Sequence, residues 1–172
     1  LGDLAAAHQV GEAMLVLLGT DADARFLVEE CLGRQFAYQQ QPEQAAQWLG
    51  AAALEPSRCY ARMRVWALVT LSNVLGDTDP HKAIAWAKEA TKLALAAPEV
   101  QHTDRVRALA EYALAYWLID ERAMAFAIWS EAAHLLLASR VYVDESDMEY
   151  HDVFTAALTM PLPTSRLLQD HV

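Results

Sequence analysis

The residues best suited to binding a metal ion lie near the end of the chain, at Glu149, His151 and Asp152. Carboxylates and imidazoles are common ligands of divalent metals. On a helix, Glu149 and Asp152 would share a face because they are three positions apart, but His151 would point elsewhere. The six histidines are scattered, and no two stand at ligand spacing on one predicted helix. We therefore expect no metal site.

The chain also offers little of the chemistry that catalysis needs. It contains no glycine-rich phosphate loop, no Gly-x-Ser-x-Gly and no Cys-x-x-Cys, which are the short motifs of common catalytic and cofactor sites. Its two cysteines, Cys31 and Cys59, lie within apolar helical patterns, and we expect both to be buried free thiols. The sequence thus predicts a protein that is not an enzyme, with no catalytic residue and no cofactor.

Charge and composition narrow the class of protein further. The formal net charge is −10, which argues against nucleic acid as a partner because phosphate binding requires clustered Lys and Arg. The acidic residues that gather late in the chain predict a solvated face, with a basic partner or a metal as the alternative. They are Asp144, Glu145, Asp147, Glu149 and Asp152.

Length and hydrophobicity predict one domain and no membrane span. The 172 residues suit a single domain, and no apolar run approaches the roughly 20 residues that a membrane span requires. The chain opens on Leu1 without an initiator Met, so we interpret it as a piece of a larger cytoplasmic protein.

Gly, Pro and polar breaks divide the chain into seven stretches in which apolar residues recur three and four positions apart, the period of an amphipathic helix. The predicted helices span 3–18, 22–39, 42–54, 58–75, 80–97, 103–119 and 122–139. Asp21, Ser57 and Asp79 are candidate helix caps, and Pro42 and Pro80 suit a first helical turn. Connections this short require neighbouring helices to pack as antiparallel pairs.

Three of these helix pairs repeat one pattern of small and large residues. A leucine or aromatic residue and a small residue on the first helix precede an Ala-x-x-x-large-x-x-Ala series on the second. The first pair has Leu32, Gly33 and Phe36, then Ala45, Leu49 and Ala52; the third has Tyr112, Ala113 and Tyr116, then Ala125, Trp129 and Ala132. The middle pair is looser, with Leu68, Val69 and Ser72, then Ala83, Ala87 and Ala90. Small residues let two helices approach closely, and stacked repeats bury the apolar faces that one pair leaves open.

This pattern resembles the tetratricopeptide repeat over roughly residues 22–139. The segment from Pro42 to Ala52 is the best match, to the second helix of that family. The leading alanines Ala45, Ala83 and Ala125 are 38 and 42 residues apart, whereas the family repeats about every 34 residues. The longer pairs resemble the C-terminal helical arrays of large bacterial signalling ATPases and LuxR-type regulators.

The resemblance implies an all-α fold, a right-handed α-solenoid of antiparallel helical hairpins. Residues 1–172 would form one tetratricopeptide-like domain: a partial hairpin in 1–21, full hairpins in 22–56, 57–98 and 99–140, and a capping helix and tail in 141–172. An end-to-end homodimer would follow from the exposed ends of such a stack.

In tetratricopeptide arrays the first helix of each hairpin lines a concave groove, and the resemblance implies a binding surface there. The expected groove residues are Glu30, Arg34, Tyr38, Trp66, Thr70, Asn73, Arg107 and Trp117. Two simpler interpretations remain open. Trp66 and Trp117 would pack against adjacent hairpins, and Glu30 and Arg34, four positions apart, would form an ordinary helix-stabilising pair.

We therefore predict a module that binds a protein segment in this groove. The alternative is a sensor or autoregulatory domain of a STAND-type signalling ATPase or transcriptional regulator, which binds a small effector or another domain of its parent chain.

Overall fold

The computed structural model describes residues 4–55 and 60–139, and this part of the chain is all-helical, without strands. It contains seven α-helices. These are α1 (Leu4–Leu18), α2 (Ala22–Tyr38), α3 (Pro42–Leu54), α4 (Ala61–Leu75), α5 (Pro80–Ala96), α6 (His102–Leu118) and α7 (Arg122–Ser139). The number of helices and most of their ends agree with the periodicity of the sequence.

Two of the predicted side-chain caps are present. Oδ1 of Asp21 accepts a hydrogen bond from the amide of Ala24 at 3.1 Å, and Oδ1 of Asp79 accepts one from the amide of Lys82 at 3.2 Å. Each bond satisfies an amide of the first turn that has no partner within its helix. The third predicted cap, Ser57, lies outside the described residues.

Helix α4 begins three residues later than the sequence pattern predicts. Tyr60 has a left-handed backbone with φ of 62°, a conformation that an α-helix does not tolerate. The helix therefore begins at Ala61 rather than at position 58. Left-handed residues also form the turns before α3 and α7, at Gln40 and Asp120.

The small residues of the repeat lie where the helices touch. Ala45, Ala83 and Ala125, which lead the pattern in the three second helices, are fully buried. Gly33 shows why the position must be small, since a Cβ added there would lie 2.5 Å from Cγ of Leu49. The pattern thus predicted correctly that these small residues are buried between packed helices.

The helices contact one another in a regular scheme. Helix α2 packs against α3, α4 against α5, and α6 against α7, so each first helix contacts its own second helix. Successive pairs are joined by contacts of α1 with α2, α3 with α4 and α5 with α6. The first helices also touch directly, α2 with α4 and α4 with α6, whereas within the described residues α3, α5 and α7 do not touch one another.

Some predictions fall on parts of the chain that are not described. These are the capping helix and tail in 141–172, the acidic run, the Glu149–Asp152 cluster and Cys59. Within the described helices, none is both long and apolar enough to cross a membrane.

Candidate binding site

Helices α2, α4 and α6 together form a surface, here called the three-helix face, on which charged and aromatic side chains meet. Three carboxylates belong to it, and all are almost fully buried: Glu30, Asp104 and Glu111. Burying a carboxylate is costly unless it is paired. Each of these carboxylates has a polar or cationic partner on the same or the neighbouring first helix.

Trp66 of α4 lies at the centre of this face. Its indole Nε1 donates a hydrogen bond to Oδ1 of Asp104 on α6 at 2.7 Å. The other oxygen of Asp104 accepts from Nε of Arg62 at 2.7 Å. Two guanidinium groups also lie over the indole ring, Arg62 at 5.6 Å and Arg107 at 5.0 Å from its centroid, within the range of cation–π attraction. The ring is thus held in one orientation by residues of two helices.

A second contact between α4 and α6 lies further along α4. Asn73 hydrogen-bonds the carboxyl group of Glu111, and Arg107 lies close enough to act on the charge of that group. Burial nevertheless dominates and raises the pKa of Glu111 to about 7, against the lowering effects of Arg107 and Asn73. A carboxyl group with this pKa changes its charge near neutral pH.

On α2, Oε1 of Glu30 lies 2.6 Å from Nε of Arg34, the helix-stabilising pair that the spacing predicted. Burial raises the pKa of Glu30, although the charge of Arg34 and its hydrogen bond act in the opposite direction. The second oxygen, Oε2, is buried and has no hydrogen-bond partner among the described residues. A buried oxygen without a hydrogen-bond donor lowers the stability of the folded state, and such atoms are rare in proteins.

A cleft opens between α2 and α4 beside this pair, with a volume of about 230 Å³. Its lining residues are Glu30, Arg34, Arg62, Met63 and Trp66, and it is called the Trp66 cleft below. It therefore combines one carboxylate, two guanidinium groups and an apolar wall of thioether and indole. This composition suits a ligand with polar and apolar parts.

Six of the eight predicted groove residues belong to this connected surface. Glu30 and Arg34 lie on α2, Trp66, Thr70 and Asn73 on α4, and Arg107 on α6. Thr70 lies one turn after Trp66 on α4, and its hydroxyl donates to the carbonyl oxygen of Trp66 at 2.8 Å.

The two remaining predicted residues lie apart from the Trp66 contacts. Tyr38 is the last residue of α2 and is 76% exposed. Trp117 is directed towards α7, where its ring lies 5.8 Å from that of Phe126 and 5.3 Å from that of Trp129, with Arg122 above it at 3.4 Å. Its ring therefore packs within its own helix pair, and not against an adjacent pair as the simpler interpretation expected.

Sequence reasoning missed Arg62, Asp104 and Glu111 as members of the site. Two signals were available, since Arg62 precedes Trp66 by four positions and Glu111 follows Arg107 by four, so each pair shares a helix face. Asp104 had no comparable signal, because its partners come from a different helix.

The prediction of a buried thiol at Cys31 is wrong, since the free cysteine is exposed. Buried residues of α2 include Phe26, Glu30, Gly33 and Phe36, three or four positions apart, and position 31 falls outside that stripe. No group of three or more potential metal ligands occurs within residues 4–55 and 60–139.

Comparison of the chain with protein-family models, with curated proteins and with solved structures found no significant match.

Proposed function

We propose that this chain is a non-catalytic interaction module that binds a protein segment along the three-helix face. The observation that carries the proposal is the continuity of that face over three successive first helices. Charged and aromatic groups that can contact a partner run from Arg34, through Arg62 and Trp66, to Arg107. Trp and Arg are the residues that most often anchor protein interfaces.

The scheme of helix contacts supports a solenoid of antiparallel, tetratricopeptide-like hairpins. First helices that touch one another, combined with second helices that do not, favour a curved stack with the first helices on the inside. A right-handed, concave arrangement would then expose the three-helix face to a segment lying across it. Such a segment would contact residues from several pairs at once.

Capture of a partner from source-cell lysate tests this proposal. Arg62 is suited to substitution, because its side chain is 47% exposed. We expect Arg62→Ala to weaken the affinity for the captured partner by roughly tenfold or more, as for an interface anchor. Lys88→Ala, an exposed substitution on the second helix α5, is the matched control and should leave binding unchanged.

The comparison requires that both variants fold, which circular dichroism and urea denaturation establish. The partner is identified by mass spectrometry, and its binding segment is then titrated as a purified peptide. Equal affinities for wild type, Arg62→Ala and Lys88→Ala would overturn the assignment of the three-helix face.

The second candidate function is a sensor or autoregulatory domain, and the Trp66 cleft is the observation that favours it. A volume of about 230 Å³ matches a small molecule better than it matches an extended segment. In this case the ligand would bind to one helix junction, between α2 and α4, rather than along the whole face.

A further inference from the structure

Glu30 lines the Trp66 cleft, and its oxygen Oε2 is buried without a hydrogen-bond partner among the described residues. The residue is 1% exposed, and Oε1 is engaged by Arg34 at 2.6 Å. Because unpaired buried acceptors are rare and costly, a ligand that donates a hydrogen bond here would relieve the cost. An ionised carboxylate favours a charged donor over a neutral one.

The cleft also offers donors to an anionic group. Arg34 and Arg62 both line it. Each has its Nε within ion-pair distance of a carboxylate, Arg34 at 2.6 Å from Glu30 and Arg62 at 2.7 Å from Asp104. The terminal nitrogens of a guanidinium group then remain suitable for binding a second carboxylate. These four side chains carry two positive and two negative charges when ionised, so a ligand with no net charge matches them best.

The rest of the lining is apolar, and its size sets a limit on the ligand. Met63 and Trp66 present a thioether and an indole face, which suit an aliphatic or aromatic group. A volume of about 230 Å³ is smaller than the roughly 300–1,000 Å³ of pockets for drug-sized ligands. It would accommodate one amino acid residue and little more.

We propose that the Trp66 cleft binds a free α-amino acid with an apolar side chain. Its ammonium group donates to Oε2 of Glu30, and its carboxylate accepts from Arg62, the more exposed of the two guanidinium groups. Its side chain packs against Met63 and Trp66. The inference rests on the sensor candidate and gives it a ligand class. A basic side chain fits less well, because it would bring a third cation beside two guanidinium groups.

The test is calorimetric titration of the intact chain with leucine, methionine and phenylalanine. N-acetylleucine lacks the ammonium group and leucinamide lacks the carboxylate, so each removes one of the two predicted contacts. We expect at least one amino acid to bind, and its two derivatives to bind roughly tenfold to a hundredfold more weakly, as for loss of a charge-assisted hydrogen bond. Lysine keeps the ammonium and the carboxylate and serves as the probe for a basic side chain.

Variants connect the binding to the named residues. Glu30→Gln and Arg62→Gln should each weaken binding of the amino acid by roughly tenfold or more, whereas Lys88→Gln on α5 should not change it. If Glu30→Gln fails to fold, Arg62→Gln still decides the matter, because Arg62 is 47% exposed.

Three results would overturn the inference: no binding of any amino acid, equal binding of the acetylated or amidated derivative, or preferential binding of lysine. None of them would affect the protein-segment proposal, which rests on the capture experiment and its own control. If both the titrations and the capture fail, the three-helix face itself is wrongly assigned as a binding surface.

Discussion

The indole N–H of Trp66 and Oδ1 of Asp104 lie 2.7 Å apart and join α4 to α6 at the centre of the three-helix face. Asp104 uses its second oxygen to accept from Arg62 of α4, so one buried carboxylate fixes two side chains of the neighbouring helix. Both of these side chains also line the Trp66 cleft. The cleft is therefore shaped by a contact between two repeats, and a ligand would meet residues that are already in place.

The bond between Trp66 and Asp104 should appear as a coupling energy. Trp66→Phe removes the N–H group and retains a ring, and Asp104→Ala removes the acceptor. We expect the two substitutions to be coupled by roughly 1–3 kcal/mol in the free energy of unfolding, the range for a hydrogen bond to a charged group. Urea denaturation of the four proteins of the cycle measures this value. Strict additivity would contradict the bond.

Gly33→Ala should destabilise the protein, although alanine is the better helix former. The added Cβ would lie 2.5 Å from Cγ and 2.9 Å from the backbone nitrogen of Leu49. The backbone atom cannot move away as a side chain can, so α2 and α3 would have to separate. We expect a loss of roughly 1–3 kcal/mol in the free energy of unfolding, measured by urea denaturation.

Gly50 provides the matched control for this substitution. It lies inside α3, and an added Cβ would have no atom within 4 Å. Gly50→Ala should therefore stabilise the protein by roughly 0.5–1 kcal/mol through helix propensity alone. Destabilisation by both substitutions, or by neither, would show that close approach at Gly33 is not what requires glycine there.

The predictable part of this fold is the part that local chemistry determines. Helix caps such as Asp21 and Asp79 act on amides three positions away, and the alanines that lead the repeat follow from periodicity. The relationship of Trp66 to Asp104 was not predictable, because the two residues are 38 positions apart and no local signal links them. Periodicity also could not predict that the ring of Trp117 packs against α7.

Trp117→Ala should reduce stability and leave ligand binding unchanged. The ring packs against Phe126 and Trp129 of α7, and losing such contacts from a half-buried site should cost roughly 2 kcal/mol in the free energy of unfolding. Urea denaturation gives this number, and titration with the captured peptide gives the affinity. Weaker peptide binding with unchanged stability would return Trp117 to the binding surface that the sequence first suggested.

Glu111 should make the stability of the fold depend on pH. Its pKa is raised from 4.5 to about 7 by burial, so the folded state binds the proton more tightly than the unfolded state. The stability that the protonated form provides is complete below about pH 4.5 and is lost as the pH rises through about 7. Glu111→Gln imitates the protonated form, so we expect it to exceed the stability of wild type by roughly 2–3 kcal/mol at about pH 8.

This advantage should shrink as the pH falls and reach its minimum below about pH 4.5, where Glu111 is protonated in both states. The measurement is urea denaturation of both proteins across this pH range. Glu131→Gln, a substitution of an exposed residue on α7, is the control and should show almost no pH-dependent difference. A constant difference between Glu111→Gln and wild type would mean that Glu111 has the same pKa in the folded and the unfolded state. In that case Arg107 and Asn73 would fully offset burial, and Glu111 would keep its charge throughout the neutral range.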